Sequence, residues 1–198
     1  MPKRIGNIYP LIYDIENIKH AHHCAKKDKS HYDAVKKTNQ NLEERAQIIS
    51  QMLKNHTYKV GKYKTSRYSD RGKNRILYKL PYYSDRIIQW AIMLQIEQYF
   101  KKVFVSFTCA SLPKRGIHQA SEILSKYLYK NRNKKLYCLK IDIKKFYPSI
   151  NRKILKKLLR KLFKDKDLLY ELDNIIDSFD NNDLYKLNLT DEEKEIYC

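Results

Sequence analysis

Cysteine is scarce and scattered in this chain. Cys24, Cys109, Cys138 and Cys198 stand far apart with no Cys-x-x-Cys pair. That spacing argues against a zinc cage and against a disulfide-stapled scaffold, and it predicts free thiols. No stretch approaches the ~20 consecutive apolar residues of a membrane helix, and Met1-Pro-Lys-Arg opens no long apolar run. The expectation is a soluble, cytoplasmic protein with no membrane partner. No internal repeat is visible. Acids are also few: 22 Asp and Glu face 41 Lys and Arg, a formal charge of +19. An excess of that size implies a polyanionic partner, nucleic acid first, bound with a steep salt dependence.

What is present is enough for a folded domain. Apolar residues make up 42% of the 198 positions and recur throughout, so wholesale disorder is not expected despite 32% charged residues. Seventeen tyrosines can stack on bases as well as fill a core. His20, His22, His23 and Cys24 form a cluster, but neighbours on a helix diverge by ~100°, so they cannot converge on one metal. They read as surface residues.

Helical spacing of Ile8, Leu11, Ile12, Ile15 and Ile18 predicts a helix over about Ile8–Ala25, and a second is expected over Leu42–Leu53. Between Met52 and Lys79 nine Lys and Arg stand against one acid, Asp70, with Tyr58, Tyr63, Tyr68 and Tyr78 interleaved. This predicts a basic β-hairpin, Tyr58–Arg67 with Arg75–Leu80, turning near Asp70–Lys73 at Arg71-Gly72. Ser84 is the expected N-cap of a buried apolar helix over Asp85–Phe100. A loop over Ala110–Gly116 leads to a helix near His118–Tyr129, with Ala120, Ile123, Leu124, Tyr127 and Leu128 inward. Leu136–Ile143 alternates as a strand that carries Asp142 to its open end and keeps Cys138 inside. A helix over Asn151–Lys164 is expected to bury Ile154, Leu155, Leu158, Leu159, Leu162 and Phe163. From Asp167 onward ten acids face two lysines, a net of −8 on an otherwise basic chain.

Asp142 is the sharpest chemical feature. A carboxylate at a strand end suits a metal-assisted nucleotidyl transfer, which needs carboxylates around paired Mg²⁺ ions. It suits a turn-capping role equally well. The run Ile141–Ile150 (IDIKKFYPSI) resembles the first catalytic motif of reverse transcriptases. The resemblance implies that Asp142 and the Ile143 carbonyl bind metal. It places Phe146 and Tyr147 in the nucleotide site, with the Tyr147 ring against the sugar so that a 2′-hydroxyl has no room. Core packing is the other reading of both rings.

Two more stretches match in order. Lys73–Gln89 (KNRILYKLPYYSDRIIQ) resembles the fingers motif of the group II intron, retron and diversity-generating retroelement enzymes. Lys73 and Arg75 are thereby implied as triphosphate ligands, and Lys79 reads as solvated. Asp85-Arg86 reads as ordering the helix start. Phe107–His118 (FTCASLPKRGIH) is similar to the family's second motif. Arg115 is then expected on template or nucleotide, and Gly116 is expected to permit close backbone approach. The family's glycine after Pro113 is Lys114 here, which leaves that loop's geometry open.

The likeness runs from about Ile5 to Ile176. It implies an α/β (α+β) fold: reverse-transcriptase fingers over 1–130, the start of a right-hand palm over 131–176, and an acidic, out-of-frame or disordered tail over 177–198. It also implies RNA-directed DNA synthesis with Mg²⁺, deoxynucleoside triphosphates, an RNA template and a DNA or RNA primer. The family's Tyr-x-Asp-Asp hairpin and thumb have no counterpart, and Asp177, Asp180 and Asp183 are poor substitutes. The isolated chain is therefore expected to be inactive. The alternatives are a non-catalytic RNA-binding remnant and one half of a split polymerase completed by a separately encoded palm and thumb.

Overall fold

A computed structural model describes residues 3–70, 73–113, 115–143, 146–147 and 149–178. The chain is helix-rich with one small antiparallel sheet, an α+β arrangement. In order the elements are α1 (Tyr9–Ile12), α2 (Ile15–Ala25), α3 (Asp33–Gln40), α4 (Leu42–Lys54), β1 (Lys64–Asp70), β2 (Lys73–Lys79), α5 (Ile87–Val103), α6 (Ile117–Lys130), α7 (Arg152–Leu162) and α8 (Lys166–Asp177). Two compact units divide it, one drawn from Met1–Glu97 with Tyr147–Cys198 and the other from Gln98–Phe146. None of the described helices is long and apolar enough to cross a membrane.

The first unit holds the core. The helix expected over Ile8–Ala25 is two helices, because Asp14 caps the second: its side chain accepts from the Glu16 and Asn17 amides at 3.0 and 3.2 Å. α2 then packs on α4, burying Ile18, Ala21, Ile49 and Leu53. α5 contributes Ile87, Ile88, Ala91, Ile92 and Ile96, a stripe at helical spacing, while Met93 on the opposite side stays exposed. Ser84 is not its N-cap. It lies within a wide five-residue turn, Tyr82–Arg86, and α5 starts only at Ile87.

His22 corrects the surface reading of the histidine cluster, since it is fully buried. Its ring nitrogens meet Asn39 Oδ1 at 2.8 Å and the Tyr82 hydroxyl at 2.9 Å. Burial pulls its pKa down, with the Asn39 bond opposing that shift in part.

Segments more than 150 positions apart meet in this unit. Ile5 forms a parallel bridge with Phe163, its amide donating to the Leu162 carbonyl at 2.9 Å and its carbonyl accepting from Lys164 at 2.7 Å. Asp165 then caps two helix starts with one carboxylate. Oδ2 accepts from the Ile8 and Tyr9 amides at 2.7 and 3.0 Å, and Oδ1 accepts from Leu168 at 3.3 Å. A carboxylate at the positive end of two helix dipoles is doubly favourable.

α8 also brings Glu171 into the core at 0% exposure. Its Oε1 accepts from the Tyr9 hydroxyl at 3.3 Å and lies 3.3 Å from His56 Nδ1, and the His56 ring stacks on Tyr9. The Tyr9 hydroxyl also donates to the Leu53 carbonyl at 2.6 Å. Burial first, and Glu171 second, push the Tyr9 phenol far above its ordinary pKa. Asp177, at the end of α8, pairs with Lys156, and Asp173 pairs with Arg160. Residues 179–198, including Asp180, Asp183 and Cys198, lie outside the described residues.

Three expectations about buried faces fail. Ile154 and Leu158 on α7 are 57% and 54% exposed, while Leu159 and Phe163 are buried. The helix meets α8 along a narrow stripe, so only part of its apolar side is covered. α6, in the second unit, buries no residue at all, although Leu124, Tyr127 and Leu128 are apolar at helical spacing. Leu136–Ile143 is not a strand, because the only sheet among the described residues is β1–β2. Alternation sets up the pattern, but a strand exists only when a neighbour takes its N–H and C=O groups. Tyr137, Leu139, Ile141 and Ile143 are exposed here, and so is Cys138, which was expected inside.

Candidate nucleic-acid interface

The basic hairpin forms, slightly displaced from its expected span. β1 and β2 pair antiparallel from Lys64↔Lys79 through Thr65↔Tyr78 and Tyr68↔Arg75 to Asp70↔Lys73. Lys73 and Arg75 thus occupy alternate positions in β2, near the turn, and the turn residues Arg71 and Gly72 lie outside the described residues. Tyr68 and Leu77 are exposed on the hairpin. β1 begins at Lys64 rather than Tyr58 because residues 58–63 are held elsewhere.

Asp85 does the holding. It is 3% exposed, and its Oδ1 accepts from the Tyr58 hydroxyl and from the Gly61 amide, both at 2.8 Å. A Cβ on Gly61 would lie 2.8 Å from Asp85 Oδ2 and 3.1 Å from the Pro81 ring, so the close approach needs glycine. From the other side Asn174 of α8 donates to the Tyr58 carbonyl at 3.0 Å, and the Tyr63 hydroxyl meets Ser178 Oγ at 3.0 Å. Burial, followed by the bond to Asp85, drives the Tyr58 phenol well above its usual range, so it stays a donor. Asp85 thereby anchors the root of the hairpin beside the approach to α5.

The second-motif loop is organised by Arg115. Its Nη1 donates to the Ser106 and Thr108 carbonyls, each at 3.2 Å, while the residue remains exposed. Gly116 is the N-cap of α6 with extended backbone (φ −175°), and a Cβ there would meet nothing within 4 Å. Its conformation and surroundings therefore place no demand for glycine within the chain itself. Lys114 lies outside the described residues.

Asp142 and Ile143 sit in the irregular, exposed segment that follows Leu136, and Phe146 and Tyr147 are 51% and 83% exposed. Lys144, Lys145 and Pro148 lie outside the described residues. By unit, Arg115, Gly116, Asp142, Ile143 and Phe146 belong to the second, and Lys73, Arg75 and Tyr147 to the first.

The donors around Asp142 do not fit a pair of magnesium ions. One carboxylate and one backbone carbonyl can share a single ion with waters and substrate phosphates, but a second ion needs further carboxylates. Among the described residues no group of three or more His, Cys, Asp or Glu side chains could hold a metal. No protein-family model matches the chain, and no curated protein matches it.

Sequence reasoning missed the Tyr58–Gly61–Asp85 anchor and the role of α8. The sequence offered little signal for the first, since Gly61 and Asp85 stand 24 positions apart and meet only in the fold. Glu171 and Asp165 were hidden by their acidic neighbours.

Proposed function

We propose that the chain is the N-terminal part of an RNA-directed DNA polymerase, carrying fingers and the first palm motif, and inactive in isolation. The observation that carries the reading is the antiparallel hairpin with Lys73 and Arg75 in β2, rooted by Asp85 from the same sequence run. A hairpin so anchored sets positions 73 and 75 near its turn, and lysine and arginine are the residue types that clamp a triphosphate by charge and by bidentate hydrogen bonds. Tyr147 lies against the sugar, Arg115 meets template or nucleotide, and Asp142 supplies the first carboxylate. The partners are an RNA template, a DNA or RNA primer and deoxynucleoside triphosphates, and the compartment is the cytoplasm. Magnesium is the ion such chemistry uses. The present donors do not hold the pair, so the chemical step needs carboxylates from elsewhere.

A second reading, one half of a split polymerase, is favoured by the second unit. α6 and the apolar run 136–143 are exposed, a condition that burial against a complementary palm chain relieves. Primer extension on an RNA template, with an Asp142→Ala control, tests both. No extension by the chain alone, restored by an added palm-and-thumb chain and lost again with Asp142→Ala, is the expected result. Extension by the chain alone that the substitution abolishes refutes the inactivity. Failure of every complementing segment refutes the split enzyme and leaves an RNA-binding remnant.

A further inference from the structure

A cavity of about 800 Å³ opens at the root of the hairpin, within the first unit, between α3, β2 and the start of α5. Lys29, Tyr32, Tyr63, Tyr78, Lys79 and Arg86 line it. Its composition is unlike a packing defect, which is apolar and closed. Three cations face it against one acid, Asp33, whose carboxylate is already 3.6 Å from Lys36 outside the cavity. Neither Lys29 nor Lys79 pairs with a carboxylate among the described residues. Arg86 gives only its Nε, to the Ala25 carbonyl at 3.4 Å, so its terminal nitrogens retain donors for an anion. The Tyr82 hydroxyl, bonded to His22 beside the cavity, is pushed up to about 12 by burial, so this wall adds no negative charge at neutral pH.

We propose that this cavity binds one nucleotide, its phosphate on Lys29, Lys79 and Arg86 and its base against the tyrosines. The volume suits such a ligand, since small-molecule sites span roughly 300–1,000 Å³. Flat rings accept any base by stacking, and a cluster of lysine and arginine accepts phosphate without sequence preference. Tyr78, Lys79 and Arg86 belong to the same run as Lys73 and Arg75, but Lys29 and Tyr32 lie in no motif that carries the polymerase resemblance, and neither Lys73 nor Arg75 lines the cavity. The nucleotide is either free or one unit of a single strand crossing the fingers. The latter source deepens the polymerase reading and rests on it.

The experiment measures binding of AMP, inorganic phosphate and a single-stranded oligo(A) RNA to the full chain by calorimetry. The variants are Lys29→Glu, Tyr32→Ala and the double Lys73→Ala/Arg75→Ala. Tyr32 is 54% exposed and makes no side-chain cap, so its loss leaves the fold intact, which circular dichroism checks. Tyr32→Ala should weaken AMP or RNA about tenfold, the scale of one lost stacking contact, and leave phosphate unchanged. Lys29→Glu should weaken all three. In Tyr32→Ala, loss confined to RNA assigns the strand as the source, and loss confined to AMP assigns the free nucleotide. Binding that both cavity variants leave unchanged overturns the proposal, as does a site where phosphate competes as well as AMP. RNA binding lost only in the Lys73/Arg75 variant overturns it too while sparing the polymerase reading. The reverse pattern supports the cavity against that reading.

Discussion

Replacing Asp85 with alanine should loosen the hairpin before it touches anything else. The carboxylate accepts two hydrogen bonds at 2.8 Å, from a buried phenol and from a backbone amide. Hydrogen bonds to charged groups contribute about 1.5–3 kcal/mol each, and an orphaned buried donor costs a similar amount. Relaxation of residues 58–63 toward water returns part of this, leaving an expected loss of about 3–4 kcal/mol. At an m-value of about 2 kcal/mol/M, that lowers the urea midpoint by roughly 2 M. The single tryptophan, Trp90, stands in the first turn of α5 and reports the transition by fluorescence. Tyr58→Phe removes one bond and should cost about 1–2 kcal/mol. The double variant should show a coupling of about 1–2 kcal/mol, because the two side chains share one interaction. Asp85→Ala within about 0.5 kcal/mol of wild type, or a coupling of zero, refutes the anchor.

Alkaline pH should destabilise the fold from about pH 10 upward, since the Tyr9, Tyr58 and Tyr82 phenols are raised in the folded state and the unfolded chain loses its protons first. Tyr9→Phe with Tyr58→Phe should flatten the denaturation midpoint between pH 10 and 12. On the acid side, His22 is depressed when folded, so the unfolded chain takes up the extra proton and stability falls as pH drops below about 6.5. His22→Gln should remove that slope from a thermal-melt series between pH 5 and 7. Cys138 is exposed while Cys24 and Cys109 are half-buried, so a thiol reagent on native protein should label Cys138 before either of those two. Equal rates at all three, by mass spectrometry, count against the exposed segment.

The helices were legible because each carries its own evidence: Ile87, Ile88, Ala91, Ile92 and Ile96 repeat at 3.6 and need no partner to be recognised. The hairpin was legible for a related reason, since both strands and the turn lie in one stretch. Leu136–Ile143 failed because alternation describes one strand, whereas a ladder depends on residues far away in sequence. α3 was silent, with only Val35 and Thr38 buried on two turns. α8 was masked by its charge: Asp165, Asp167, Glu171 and Asp173 look like a solvated tail, yet two of them carry a double cap and a core network. Of the candidate site, Lys73 and Arg75 fell in a real strand. Asp142 was expected at the open end of a strand, and no strand forms there among the described residues.

The bridge between Ile5 and Phe163 and the double cap by Asp165 set the order in which this protein can be made. α1 lacks its cap until Asp165 has been translated, 157 positions after Ile8. At ~5–20 residues per second, α1 waits roughly ten to thirty seconds for this contact. During that interval the apolar sides of α2 and α4 can satisfy each other, but the Ile8 and Tyr9 amides lack Asp165 and the Tyr9 hydroxyl lacks Glu171. A nascent chain stalled before Asp165 should therefore present α1 to chaperones and proteases, and release of the α8 segment should hide it.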